Sequence, residues 1–220
     1  MKIIAKIHTD FKEKFGIPRQ SSLSSARGKI VFEKSFRNPD ALRGLEDFSH
    51  LWIIWQFSES IREAFTPTVR PPRLGGNKKV GVFATRSPFR PNPLGLSSVK
   101  IINIKEEAGL GCVIYVEGVD MLDGTPIYDI KPYVRYTDSH PDARSGFADE
   151  EYGKKLNVFI PENELTKLSE KEKEELISIL EEDPRPSYQD DPSREYGMFF
   201  GKNEVLFKVS EKMLTVTKIK

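Results

Sequence analysis

The stretch LSSVKIINIKEEAGLGCVIYVEGV, residues 96–119, decides the fold class. Residues 96–105 and 112–119 are both β-prone, and the Gly-containing 106–111 segment between them supplies a turn, so the pair reads as a β-hairpin. Upstream, residues 2–8 alternate, 29–34 and 80–85 are short apolar runs, and 50–57 is rich in aromatic and β-branched side chains; each reads as a strand. One short helix is expected over 38–45, where Asn38 can cap and Pro39 can take the first helical position. No long amphipathic helix alternates with these strands. A parallel βαβ sheet is thereby disfavoured, and an antiparallel, closed or nearly closed β-barrel is expected over residues 1–136.

Residues 137–153, TDSHPDARSGFADEEYG, are polar, contain Pro141 and read as a linker. Beyond them the pattern changes. Ser169 and Glu172 form a capping-box pair ahead of Leu176, Ile177, Ile179 and Leu180, predicting a helix over 170–182 that Asp183-Pro184 ends. Three β-prone runs follow at 196–200, 204–209 and 214–219. The chain is therefore mainly β, with a small C-terminal α+β domain at 154–220. A unit of that size has too little core to be comfortably stable alone, so it is expected to pack on the barrel.

Of 220 residues one is cysteine, Cys112, which rules out an intramolecular disulfide and a cysteine-rich metal site and suits a reducing cytoplasm. His8, His50 and His140 show no metal spacing, and no metal is expected. The longest apolar run, 51–55, cannot span a bilayer, so no membrane association is expected. The net charge of +1 conceals segregation: residues 1–105 hold 19 Lys and Arg against 8 Asp and Glu, and the remainder 15 against 25. A localised basic surface of this kind suits a polyanion.

Residues 66–100, TPTVRPPRLGGNKKVGVFATRSPFRPNPLGLSSVK, contain six of the 15 prolines, seven basic residues and no acid. Proline holds a loop in one shape, and arginine offers a planar fork to phosphate, carboxylate or a base face, so this reads as a rigid basic binding loop. Neither GxGxxG nor GxxxxGK[ST] is present, which leaves a Rossmann-type or phosphate-loop nucleotide site without support. In the 120–126 turn, Asp120 or Asp123 can accept from a ribose diol or an ammonium group, or can cap its own backbone. Asp183-Pro184-Arg185-Pro186-Ser187-Tyr188 sets a guanidinium on a stiff arm beside a ring able to stack on a base.

Taken together, KEKFGIPRQ (12–20), RGLEDFSHLW (43–52), residues 70–95, 123–133 and 183–188 closely resemble the TsaA-like family, also called tRNA methyltransferase O. The resemblance implies a non-Rossmann β-barrel that binds S-adenosylmethionine, usually dimeric, followed by a small C-terminal domain. It implies methylation of N6 of N6-threonylcarbamoyladenosine beside the tRNA anticodon. By the same resemblance the cofactor is held by Pro18, Arg19, Gln20, Phe57, Ser58, Arg86, Leu96, Asp120, Met121, Leu122 and Asp123. Asp123, Asp129 and Asp183 are candidates for the catalytic proton acceptor. Arg70, Arg73, Lys78, Lys79, Arg90, Arg185 and Tyr188 are candidate tRNA contacts, those to phosphate giving salt-dependent affinity. Two other readings stay open: a protein that binds the cofactor or RNA without transfer, and a methyltransferase with another substrate.

Overall fold

The computed structural model spans residues 1–220 and describes all of them except Pro72, Arg73, Gly75, Gly76, Asn77, Tyr152, Pro186, Ser187, Tyr188 and Asp190, and the side chains of Glu150 and Glu151. In chain order the strands of the first part are β1 (Ala5–Thr9), β2 (Arg27–Phe32), β3 (His50–Gln56), β4 (Thr68–Val69), β5 (Val80–Gly81), β6 (Leu94–Glu107), β7 (Gly111–Glu117) and β8 (Pro126–Pro132). Six of them close into a barrel in the order β1-β2-β7-β6-β3-β8, with every pairing antiparallel, while β4 and β5 form a separate two-stranded ribbon. β6 does most to close it. Its first half pairs with β3 and its second half with β7, and the register shifts between Ile101 and Asn103. Such an irregularity bends a strand and increases its twist, which lets one strand serve two neighbours around a curved sheet.

Side chains alternate across the barrel wall as the pleat requires. On β3, Leu51, Ile53 and Trp55 point into the core, and His50, Trp52, Ile54 and Gln56 are only partly covered. Ala5, Ile7, Ile30, Val99, Ile114 and Ile127 fill the interior from the other strands, all of them fully buried.

After the one-turn helix α1 (Arg135–Asp138), the C-terminal part contains β9 (Asn157–Phe159), α2 (Glu162–Leu165), α3 (Glu170–Glu181), β10 (Tyr196–Phe200), β11 (Asn203–Ser210) and β12 (Met213–Ile219). The sheet order is β10-β11-β12-β9, with β9 parallel to β12. The capping box forms as read: Glu172 N donates to Ser169 Oγ at 3.4 Å and Ser169 N donates to the Glu172 carboxylate at 2.8 Å. This sheet packs on the barrel through one continuous hydrophobic core. Phe15 stacks on Phe207 with ring centroids 6.5 Å apart. Gly16, at φ +91°, lies under Met198 so closely that a Cβ there would stand 2.6 Å from the methyl carbon. Ser25 meets Ser178 of α3 at 2.9 Å, and Arg27 N donates to Glu175 Oε1 at 2.7 Å.

Two local expectations are corrected. The 80–85 strand is only Val80–Gly81, the length over which it pairs with β4; Val82–Ala84 turns as a 3-10 helix closed by Thr85 N donating to Val82 O at 3.2 Å. The 38–45 helix is two 3-10 turns, Pro39–Leu42 and Leu45–Asp47, separated by Gly44 at φ +87°, with Asn38 capping the first through Asp40 N. The connection between the two parts carries local structure: Asp138 accepts from Trp52 Nε1 at 2.9 Å and from Val134 N at 2.8 Å, and Gly146–Glu151 is a 3-10 helix.

Candidate active site

A cavity of about 1060 Å³ opens where β3 ends and β6 begins. Its size is at the top of the range that holds small ligands, roughly 300–1000 Å³. The floor is aromatic. Trp55 and Phe57, with centroids 4.2 Å apart, line it together with Leu96 and Leu122. Trp55 lies flat against Gly95, where a Cβ would stand 2.1 Å from the indole, so only glycine admits the ring.

From that ring a polar chain runs along the wall. Trp55 Nε1 donates to Ser97 Oγ at 2.9 Å, and Ser97 Oγ donates to Asp120 Oδ1 at 2.6 Å. Burial pushes the Asp120 carboxyl up to about 6, against the opposing hydrogen bonds from Ser97 and the backbone of Ser21 and the charge of Arg86. A group with that pKa is ionised at neutral pH yet basic enough to take a proton. Opposite stands Arg86, whose Nη1 donates to Gln20 Oε1.

The remaining cations fall into two sets. Lys14 donates to Glu59 O at 2.8 Å, and Arg90 Nη1 donates to Thr85 O at 2.8 Å, so both brace the loop. Arg62 lies 3.5 Å over the Phe89 ring, while Arg70 and Lys79 line the cavity with no carboxylate beside them among the described residues. The β4–β5 register ends at the pair Val69–Val80, which Arg70 follows and Lys79 precedes, so both cations sit at that end of the ribbon. Among the described residues no group of three His, Cys, Asp or Glu side chains is arranged to hold a metal.

Residues 6–139 match the family model described as tRNA-methyltransferase O N-terminal domain, and residues 154–220 match the TrmO C-terminal domain. The chain belongs to the tRNA methyltransferase O family. It is 39% identical over 217 residues to a tRNA (adenine(37)-N6)-methyltransferase of Escherichia coli strain K12, covering 94% of this chain and 92% of that protein. It is 43% identical over 169 residues to a tRNA (adenine(37)-N6)-methyltransferase of Eikenella corrodens, covering 77% of this chain and 95% of that one. A crystal structure of TrmO from Pseudomonas aeruginosa aligns with a TM-score of 0.77 at 33% identity, covering 99% of this chain and 96% of that chain.

Within this tRNA methyltransferase O chain, the cavity wall includes Pro18, Arg19, Gln20, Phe57, Ser58, Arg86, Leu96, Asp120 and Leu122 of the cofactor set. Met121 is fully buried in the core and stands behind the wall. Asp123, Asp129 and Asp183 do not line it. Although burial raises Asp123, the Lys12 ammonium at 2.7 Å and Thr9 N at 3.1 Å hold its carboxyl below the usual range, and His8 Nδ1 is 3.3 Å away. Asp129 pairs with Lys131 at 3.1 Å and accepts from Ile130 N. Asp183 is forked by Arg185, Nε at 2.9 Å and Nη2 at 3.0 Å.

Of the tRNA set, Arg70, Lys79 and Arg90 line the cavity, Lys78 is exposed beside it, and Arg185 is 7% exposed. Arg73 and Tyr188 lie outside the described residues. Sequence reading placed Trp55 only in a strand and did not single out Ser97 or Phe147. Phe147 carries the one signal that was available: a phenyl ring in an otherwise polar stretch.

Proposed function

We propose that this chain is an S-adenosylmethionine-dependent methyltransferase acting on N6 of N6-threonylcarbamoyladenosine next to the tRNA anticodon. What carries the reading is one cavity combining an aromatic floor, a cation held by Gln20 and a carboxyl poised near 6, in a chain of this family. The residues present fit the cofactor: Trp55, Phe57, Leu96 and Leu122 offer apolar walls, and Arg86 offers a donor for its amino-acid carboxylate. When bound, S-adenosylmethionine supplies a methyl group on a positive sulfur, open to in-line attack. The cavity walls would hold the acceptor beside the cofactor, and positioning of this kind supplies much of the rate of a transfer. Asp120, in place of Asp123, Asp129 or Asp183, would accept the proton that N6 gives up. Arg62, Arg70 and Lys79 meet the anionic acceptor, with Lys78 and Arg90 beside them.

The division into residues 1–136, a 137–153 connection and 154–220 is part of the same reading, as is a homodimer in the cytoplasm. Exposed Ile61, Phe65, Phe83 and Leu96, all more than half accessible, support an apolar contact near the cavity.

The test is incubation with methyl-labelled S-adenosylmethionine and tRNA with or without the threonylcarbamoyl group. Label entering only the modified tRNA supports the reading. Binding without turnover makes the protein a cofactor-binding module, and label in unmodified RNA makes it a methyltransferase with another substrate. Asp120→Asn should lower turnover by about a hundredfold with cofactor affinity retained; loss of cofactor binding instead would make Asp120 a cofactor ligand.

A further inference from the structure

Arg19 belongs to the loop that lines the cavity, yet its guanidinium reaches into the C-terminal part. Its Nη2 donates to Arg185 O at 2.7 Å and to Asp183 O at 3.4 Å. Those carbonyls belong to the turn that ends α3, and that turn is stiffly built. Asp183 has φ +49°, a left-handed conformation uncommon outside glycine, and its carboxylate accepts both prongs of the Arg185 fork and Arg185 N at 3.2 Å. Arg185 is buried, so this fork acts within the protein.

On its other side Arg19 is tied to the cavity. Its carbonyl accepts from Gln20 Nε2 at 2.6 Å, and Gln20 Oε1 accepts from Arg86 Nη1. An unbroken sequence of contacts therefore runs from the Asp183–Arg185 turn through Arg19 and Gln20 to Arg86.

We propose that Arg19 is a positioning residue that makes the 183–185 turn part of the cofactor site, the turn fixing the Pro18-Arg19-Gln20 loop and Gln20 fixing Arg86. This rests on the reading of the cavity as the S-adenosylmethionine site. It assigns the C-terminal part a second task besides any contact with tRNA: holding the cofactor loop in its binding shape. Asp183 and Arg185, which line no part of the cavity, then govern cofactor affinity from outside it.

The experiment is a double-mutant cycle on the full chain, titrating S-adenosylhomocysteine by calorimetry into wild type, Arg19→Ala, Asp183→Asn and the double variant. Asp183→Asn should weaken binding by about fivefold or more, and the double variant should bind no worse than Arg19→Ala, since both cut one connection. Asp183→Asn should also raise the cofactor KM with kcat at saturation nearly unchanged. Ser178→Ala, which loosens the same seam at Ser25 without touching the turn, should leave cofactor affinity as in wild type. Unchanged affinity in Asp183→Asn, additive effects in the double variant, a fall in kcat alone, or equal weakening by Ser178→Ala would each overturn the proposal. Failure of the wild type to bind cofactor would overturn the cavity assignment itself, and the coupling with it.

Discussion

Trp55 rests on Gly95 with no room for a β-carbon between them, a methyl there falling 2.1 Å from the indole. The two residues are cross-strand partners on β3 and β6, so the contact is set by register. It fixes the plane of the cavity floor and aims Trp55 Nε1 at Ser97.

Gly95→Ala should displace the indole and break the Trp55–Ser97 hydrogen bond. Overpacking of this sort costs about 1–3 kcal/mol. Thermal melting should show that loss, and calorimetry should show cofactor affinity falling by at least about tenfold, as expected where the binding floor itself moves.

Activity should depend on pH through Asp120. Only the ionised carboxylate accepts a proton, so kcat/KM should rise through pH about 6 and level off above it. Ser97→Ala removes a hydrogen bond that favours the ionised form, so the midpoint should move to higher pH. A midpoint that stays in place or moves down would count against the assignment.

Glu175 places a carboxylate in the seam between α3 and the barrel. Burial chiefly, with Asp10 and Glu117 nearby, pushes it up to about 7, against the hydrogen bond from Arg27 N and the Arg27 charge. A carboxyl whose folded pKa lies above its unfolded value of 4.5 is held protonated by folding, so stability should fall as pH rises from about 4.5 to 7. Glu175→Gln keeps an acceptor for Arg27 N without the charge. Its melting temperature should exceed wild type at pH 8 and match it near pH 4, a difference on the order of 2 kcal/mol at the higher pH.

The ribbon cations should govern tRNA affinity. Arg70→Ala and Lys79→Ala should each weaken tRNA binding, and each should reduce the slope of log affinity against log salt by about one if its contact is to phosphate. Cofactor affinity should be little changed in both. Equal salt slopes in wild type and variants would remove these two residues from the phosphate interface.

Much of the architecture was legible because local patterns carry it. Alternation in β1, the aromatic and β-branched run of β3, the turn after β6 and the Ser169–Glu172 box are written in adjacent residues; β3 and the box formed where read, β1 formed at 5–9, and the turn narrowed to 108–110. Nine of the residues that the resemblance assigns to the cofactor line one cavity. The 80–85 run misled because β propensity cannot report whether a neighbouring strand exists. β9, three residues paired in parallel with β12, gives too short a pattern to be seen.

The sequence by itself determined the class of fold, most of the longer strands with the α3 helix, and a basic half able to meet a polyanion. Only the tertiary structure decided which carboxylate lines the cavity. Asp120, Asp123, Asp129 and Asp183 look alike as letters, but three are held by a cation nearby and one is desolvated beside Ser97 within the cavity. The ionisation and partners of a carboxyl depend on what the fold brings against it from distant positions: Ser97 and Arg86 for Asp120, Lys12 for Asp123.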